Sequence, residues 1–257
     1  MDWSSKQYVK FEAERNQPIH DLLARLPVHG VHRIADLGCG PGNSTQLLRQ
    51  HYPEAEIIGI DRSSDMLTAA RERLPRLTFD QIDIADWRPT QRFDLVFANA
   101  SLHWLGEHHR LFKRLLTTLA PGGRLAIQMP DNLDEPAHAL MREVAAEPRW
   151  APLELTTSPL RAPRHTPSWY VARLKPHVAS LDVWRTTYHH LIADGVDGVV
   201  EWFKGSGLRP YLAPLGADDR DAFLEAYRRR LAAAYPVLDD GTLVLPFPRL
   251  FMVLGVE

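Results

Sequence analysis

The sequence predicts an α/β fold in which helices cover both faces of a doubly wound, mostly parallel sheet of seven strands. Three observations predict it. Short apolar runs alternate with segments of helical periodicity as far as about residue 130, a glycine-rich turn follows the first run, and an acidic residue ends the second. This alternation is typical of parallel strands that are joined by crossover helices.

The first repeat begins with a helix from about Pro18, whose apolar residues recur on one face. A strand over Arg33–Leu37 follows and runs into the glycine-rich turn. Asn43 or Ser44 is expected to cap the next helix, which should end near Tyr52 because a proline comes next. The turn is therefore predicted to connect a strand to a helix.

The following elements continue the alternation. Strands are predicted at Glu56–Asp61, 77–81, Phe93–Asn99 and 124–129, with a helix at 65–74. Because five strand–helix repeats fit within about 130 residues, they favour a doubly wound, Rossmann-like sheet.

After Pro130 the pattern changes, and prolines become frequent between residues 148 and 176. This part is interpreted as a cap or insertion. Helices are expected at 135–146, 196–203 and 217–234, and two further strands at 181–188 and 251–254. We expect one domain over residues 1–257, with a cofactor-binding core at 30–130 and a helical cap built from the N-terminal segment and residues 131–180 and 196–245.

Composition excludes several classes of protein. Lys and Arg number 30 and Asp and Glu 32, so the net charge of −2 disfavours a nucleic-acid binder that neutralises phosphates. The longest apolar runs are far shorter than the roughly 20 residues of a membrane helix, so no membrane span is expected. The polar start and the single cysteine, Cys39, favour a cytoplasmic protein without an intrachain disulfide.

The glycine-rich turn is the first chemical signal. Glycines at 38, 40 and 42 let the backbone adopt positive φ and approach a ligand closely. Their spacing differs from the G-x-G-x-x-G of dinucleotide sites, and no lysine follows as in a nucleoside-triphosphate loop. Another nucleotide-like ligand is therefore favoured.

Acidic and amide residues follow the later strands. Asp61 lies about 20 residues beyond the turn, where a carboxylate can accept hydrogen bonds from both ribose hydroxyls. Asp83 and Ile84 are placed to contact an adenine amine and ring face, and Asn99 ends the fourth predicted strand, where it can contact the ligand or a substrate. The alternatives stay open: Asp36 can serve as an acceptor for the loop itself, and Asn99 can form an Asx-turn.

This pattern resembles the class I, S-adenosylmethionine-dependent methyltransferases, whose first motif is acidic-x-G-x-G-x-G and whose second strand ends in an acidic residue. The match is formed by residues 36–42 with Asp61 and covers about residues 30–130. Other stretches resemble a subfamily that methylates a carboxylate of trans-aconitate, namely 14–18, 36–45, 128–132, 205–211 and 245–251. The resemblance implies S-adenosylmethionine as cofactor, S-adenosylhomocysteine as product and a small carboxylic acid as substrate.

The candidate cofactor residues are Asp36, Gly38, Gly40, Gly42, Asp61, Arg62, Met66, Asp83, Ile84 and Asn99. No catalytic acid or base is expected, because a carboxylate with a pKa near 4 is already ionised at pH 7 and can attack the methyl carbon directly. The site would have to orient the acceptor oxygen and exclude water. No metal is expected either.

Cations and aromatic walls would orient a carboxylic acid, since the planar guanidinium of arginine offers paired donors to a carboxylate. The candidate substrate residues are Arg209, Tyr211, Trp169, Tyr170, His165, Tyr8 and Trp104. Lys204 and Arg249 are further candidate cations, and Arg15 could close the site together with Tyr8. For each of these residues, packing or a surface ion pair is the competing interpretation.

Other functions remain open at this point. A class I methyltransferase could act on another carboxylic acid, a hydroxyl or an amine, the last two of which need a base. A nicotinamide-dependent reductase would share the fold, and a binding module without catalysis would share the cofactor residues. The oligomeric state cannot be deduced from the sequence.

Overall fold

The computed structural model describes residues 12–153 and 165–257. They divide into two compact units. The first unit contains residues 12–130, 165–186 and 249–257, and the second contains 131–153 and 187–248.

The sheet has seven strands within these residues: β1 (Arg33–Leu37), β2 (Glu56–Asp61), β3 (Thr78–Gln81), β4 (Phe93–Asn99), β5 (Leu119–Pro130), β6 (Ser180–Ile192) and β7 (Leu243–Gly255). Their order is β3-β2-β1-β4-β5-β7-β6. The pairs from β3 through β5 are parallel, and β5 and β7 are antiparallel. The predicted α/β fold is therefore confirmed, with a mixed sheet.

The helices are α1 (Glu12–Leu23), α2 (Asn43–His51), α3 (Ser64–Arg73), α4 (His108–Leu116), α5 (Pro136–Ala145), α6 (Pro167–Leu174), α7 (Gly195–Lys204), α8 (Arg209–Leu212) and α9 (Ala217–Ala234). None of the described helices is long and apolar enough to cross a membrane.

The central strands of the first unit are apolar on both faces. Six of the seven residues of β4 are buried, as expected for a parallel strand that is covered by helices on either side. The buried core joins them to helix α4 through Leu111, Phe112 and Leu115. Strand order reverses between β1 and β4, and ligands of open α/β sheets bind outside the carboxyl ends of the strands at such a point.

Four predicted elements differ markedly in their bounds from the structure. Helix α1 begins at Glu12 and contains Pro18, which the sequence placed at the start of the helix. Strands β5 and β7 are longer than predicted, since each continues through prolines or glycines that interrupt its apolar runs. Strand β6 likewise extends to Ile192.

The predicted cap of α2 is also wrong. Gly42, with φ of 85°, precedes the helix, and no side chain caps it. The Asn43 side chain donates to Asn16 Oδ1 at 2.9 Å, and the Ser44 hydroxyl donates to Asp36 at 2.7 Å. These polar side chains therefore connect the helix to α1 and β1, and the left-handed glycine makes the turn.

Candidate active site

The glycine turn lies at the carboxyl end of β1, beside the end of β4. Gly38 has φ of 73°, and a Cβ added there would lie 2.3 Å from the Ser101 Cβ, so only glycine fits. The Ser101 hydroxyl donates to the Leu37 carbonyl at 2.7 Å. The turn is thus packed directly against the residues that follow β4, at the point where strand order reverses.

Gly40 differs from Gly38 because it borders open space. Its φ is 54°, and apart from its chain neighbours no atom of the described residues lies within 4 Å of the position that a Cβ would occupy. Its N–H donates to Asp61 Oδ2 at 3.0 Å. The backbone is therefore exposed to a ligand here, and a carboxylate lies beside it.

Asp61 ends β2 and holds the loops on both sides of it. Besides the bond from Gly40, its Oδ1 accepts the Ser63 N–H at 2.9 Å. Each carboxylate oxygen has more than one acceptor position, so these two bonds leave capacity for the hydroxyls of a ribose. The predicted pairing of the glycine turn with Asp61 is present in the first unit.

Asp36 points into the protein. It is fully buried, and its Oδ2 accepts the hydroxyls of Ser44 at 2.7 Å and Thr45 at 2.6 Å. Burial raises the pKa of Asp36 to about 6, an effect that the two hydroxyl bonds oppose and the nearby Asp61 charge reinforces. This arrangement favours the alternative in which Asp36 holds the loop.

Cys39 is equally enclosed, at 1% exposed. Burial raises the pKa of its thiol well above the ordinary value, and the neighbouring carboxylates of Asp36 and Asp61 add to the effect. A thiol held in this way is a poor nucleophile, which favours a packing role in the turn.

The residues after β3 face the same turn. The Ile84 side chain is buried, and its Cδ1 lies 3.5 Å from the Cβ position at Gly38. Asp83 Oδ1 accepts the Ala85 N–H at 2.9 Å, and its Oδ2 lies 3.8 Å from Arg62 Nη1. Asp83 is thus held at the edge of the same region, with its carboxylate still one-third exposed.

Met66 and Asn99 complete the predicted cofactor set. The Met66 side chain is buried at the start of α3, where its N–H donates to the Ser63 hydroxyl at 3.4 Å. Asn99 ends β4 and is 9% exposed, and within the described residues its Oδ1 has no hydrogen-bond partner. A buried acceptor of this kind usually has a partner, so a donor from a ligand or water is expected there.

Three candidate substrate residues lie around helix α6 in the first unit. The His165 and Trp169 rings stack with centroids 3.6 Å apart, and the Arg173 guanidinium lies 4.3 Å above the Trp169 ring. Desolvation, followed by the Arg173 charge, lowers the pKa of His165. These two rings therefore form an aromatic wall that favours a neutral imidazole.

Tyr170, the third of them, has no exposed surface. Its hydroxyl lies 2.6 Å from His108 Nδ1, and His108 Nε2 lies 3.0 Å from the Leu102 carbonyl. Because a carbonyl only accepts, Nε2 must carry the proton and Nδ1 must accept from the tyrosine. This geometry favours packing over substrate contact for Tyr170.

The remaining candidates are distributed along the chain. Trp104 is half-buried in a short 3-10 turn after β4. Arg209 and Tyr211 lie in helix α8 of the second unit, where the Tyr211 ring stacks on Phe223 at 5.8 Å. Tyr8 lies outside the described residues. Arg15 is half-buried on helix α1.

The sequence predicts no role for Gln128 and only a further candidate cation in Arg249. Gln128 is fully buried in β5, Arg249 is 4% exposed in β7, and Arg249 Nη1 lies 3.5 Å from Gln128 Oε1. The available signal was a polar side chain within an apolar strand, which is uncommon unless it has a partner.

No group of three or more His, Cys, Asp or Glu side chains arranged to hold a metal ion occurs in the part of the chain that the structure describes. Candidate metal ligands are therefore not grouped there.

A family profile and several named relatives match this chain. A family profile described as "Methyltransferase domain" matches residues 34–123. Relatives named trans-aconitate 2-methyltransferase are 51% identical in Afipia carboxidovorans and 52% identical in Methylobacterium nodulans, over 98% of this chain and 97–98% of theirs.

Solved structures with lower identity share the fold. The YcgJ protein from Bacillus subtilis has a TM-score of 0.62 at 13% identity, over 94% of this chain and 99% of that one. A Haemonchus contortus phosphoethanolamine N-methyltransferase with bound S-adenosylhomocysteine has a TM-score of 0.57 at 18% identity, over 94% of this chain and 53% of that one.

Proposed function

The chain belongs to the trans-aconitate 2-methyltransferase family, and we propose that it transfers the methyl group of S-adenosylmethionine to a carboxylate of trans-aconitate, which gives a monomethyl ester and S-adenosylhomocysteine. The observation that carries this proposal is the identity of about half of all residues over nearly the full length of relatives with that name. No alternative acceptor is favoured by a specific contact.

The turn fits the cofactor. The open space at Gly40 would admit the ligand against the backbone, and Asp61 beside it would accept the ribose hydroxyls. Ile84 would cover the adenine face, with Asp83 near the exocyclic amine. Asn99 Oδ1, which needs a donor, suits the ammonium of the amino-acid moiety.

When bound, S-adenosylmethionine supplies an electrophilic sulfonium methyl group. The acceptor carboxylate is ionised at pH 7, so no side chain has to remove a proton. The contribution of the chain is to hold the acceptor oxygen about 3 Å from the methyl carbon, in line with the bond that breaks, and to replace water around the anion. This explains why a base within the turn is not required.

Aromatic walls and cations would hold the acceptor acid. Trp169 with His165, and Trp104 after β4, would supply aromatic walls, and Arg209 with Tyr211 would act from the segment that we assign to the cap. Tyr8 and Arg15 would contribute from the N-terminal segment. The helical cap at residues 131–180 and 196–245 and a cytoplasmic location likewise stay predictions.

A labelled methyl-transfer assay against trans-aconitate, cis-aconitate, citrate and isocitrate tests the function. We expect a base-labile ester on trans-aconitate. Transfer to none of these acids, by enzyme that still binds the cofactor, would contradict the choice of acceptor and leave methyl transfer to another molecule.

The cofactor site is tested by Gly40→Ala, with Gly30→Ala as the matched control. Both glycines have positive φ, and in the described part of the chain no atom beyond their chain neighbours lies within 4 Å of an added Cβ. Each variant should lose about 1–2 kcal/mol of stability from the left-handed backbone. Only Gly40→Ala should lose cofactor affinity in calorimetry, by about tenfold or more, and equal affinities would contradict the proposed cofactor position.

A further inference from the structure

Three polar side chains share one face of the sheet, namely the cofactor candidate Asn99 and two residues of the neighbouring strands. Asn99 pairs directly with Gln128 in the parallel register of β4 and β5. Gln128 pairs with Phe251 of β7, and Arg249 lies two residues earlier on the same strand. Because side chains alternate along a strand, Asn99, Gln128 and Arg249 lie on the same face.

All three are buried, with 9%, 0% and 4% exposed respectively. Arg249 Nη1 lies 3.5 Å from Gln128 Oε1, so the two side chains are adjacent. Gln128 Nε2, a donor, has no hydrogen-bond partner among the residues that the structure describes. An unpartnered amide donor in a fully buried residue, next to a buried guanidinium, indicates a ligand with acceptor oxygens.

This group lies at the carboxyl edge of the sheet, next to the cofactor position. The Ala100 N–H donates to the Gln128 carbonyl at 2.9 Å, and Ser101 contacts the glycine turn. With strands about 4.8 Å apart, β5 and β7 lie about 10 and 14 Å from β1. A six-carbon acid whose reacting end faces the end of β4 can therefore reach β5 and β7 with another carboxylate.

We propose that Arg249 and Gln128 form the subsite for a carboxylate of the acceptor that is not methylated, an inference that depends on the proposed function. The guanidinium and the amide Nε2 would each donate to that carboxylate. The carboxylate in this subsite has to be a non-reacting one. A guanidinium that donated hydrogen bonds to the nucleophilic oxygen would engage the lone pairs that must attack the methyl carbon. The subsite thereby selects acids with at least two carboxylates.

Arg249→Met tests the subsite, because methionine keeps much of the length of the side chain and removes its charge. Circular dichroism checks the fold, and calorimetry measures trans-aconitate binding to the complex with S-adenosylhomocysteine. We expect the dissociation constant and KM to rise about 30-fold or more, with kcat changed less. Arg249→Lys should restore part of the affinity.

Gln128→Glu is a second variant that does not depend on removing the arginine. A carboxylate at this position would pair with Arg249 and repel the ligand, so affinity for trans-aconitate should fall while cofactor affinity stays the same. Arg124→Met is the matched control, since Arg124 lies in the same sheet where β5 pairs with the end of β7. It should leave KM unchanged.

Dicarboxylates that each lack one carboxylate of trans-aconitate identify the group that is held. Itaconate, glutaconate and methylfumarate serve as the probes. The acid that lacks the held carboxylate should bind wild type and Arg249→Met equally, and the other two should bind the variant more weakly. Equal affinity of folded Arg249→Met and wild type for trans-aconitate, or an equal loss for all three dicarboxylates, would overturn the subsite.

The same measurements separate failure of this subsite from failure of the proposed function. Wild type that binds the acids, loses them in Arg249→Met and transfers no methyl group to them would support the subsite and contradict the function. Wild type that binds none of the acids would overturn both.

Discussion

Replacement of Asp36 by asparagine should stabilise the protein at neutral pH. Burial raises the pKa of this carboxyl from 3.8 to about 6. Two pKa units correspond to about 3 kcal/mol. An acid with a raised folded-state pKa contributes stability that is fully present below pH 3.8 and lost as pH rises through about 6, so the ionised form is costly at pH 7.5.

Asparagine at this position stays neutral and keeps an oxygen that can accept the hydroxyls of Ser44 and Thr45. Its amide nitrogen would occupy the place of Asp36 Oδ1, which has no hydrogen-bond partner among the described residues. An unpaired buried donor costs about 1–2 kcal/mol. The expected net gain at pH 7.5 is therefore about 1–2 kcal/mol, and it should shrink by about 1.5 kcal/mol at pH 5.

Urea unfolding of Asp36→Asn at pH 5, 6 and 7.5 measures this gain. Asp94→Asn is the control, because it changes the net charge equally but weakens bonds to the N–H groups of His32 and Arg33, both 2.8 Å long. The control should lose stability at pH 7.5. A difference between Asp36→Asn and wild type that is constant from pH 5 to 7.5, or a loss at pH 7.5, would refute the reasoning.

Three further predictions concern the same unit. Asp61→Asn should weaken cofactor binding in calorimetry about tenfold or more, and an unchanged affinity would remove Asp61 from the ribose site. Tyr170→Phe should cost about 1 kcal/mol in urea unfolding through the lost bond to His108, with KM unchanged; a raised KM would instead favour substrate contact. Cys39 should react with iodoacetamide only on unfolding, because burial raises its pKa and closes access, and fast labelling of native protein would contradict this.

Local sequence patterns correctly predicted the strands that precede the candidate cofactor residues. The bounds of β1, β2 and β4 agree with the prediction, since each strand is a short apolar run between polar segments. The glycine turn and Asp61 were found together because the turn follows β1 and Asp61 ends β2, and these two strands are neighbours in sequence and in the sheet. Local patterns are therefore sufficient to predict that the glycine turn and Asp61 lie close together.

Two helices of the first unit escaped prediction, for different reasons. Helix α4 follows Glu107, whose φ is 51° and whose side chain makes no capping bond. Helix α6 lies within the proline-rich stretch, although Thr166 accepts the Trp169 N–H and Pro167 occupies the first turn. In α6 the proline marked a helix start, which proline frequency alone cannot distinguish from a loop.

The proposed carboxylate subsite could not be predicted in the same way. Its two residues lie far apart in the sequence, on strands that run in opposite directions. Gln128 and Arg249 are 121 residues apart. In a parallel strand, a residue near the start lies at the amino edge of the sheet, away from the ligand. Strand β7 runs against β5, so Arg249, at the start of their pairing, lies opposite Pro130 at the carboxyl edge. The antiparallel pairing of β7 with β5 therefore places a buried cation at the edge where the parallel strands end. No local pattern around residue 249 specifies that direction.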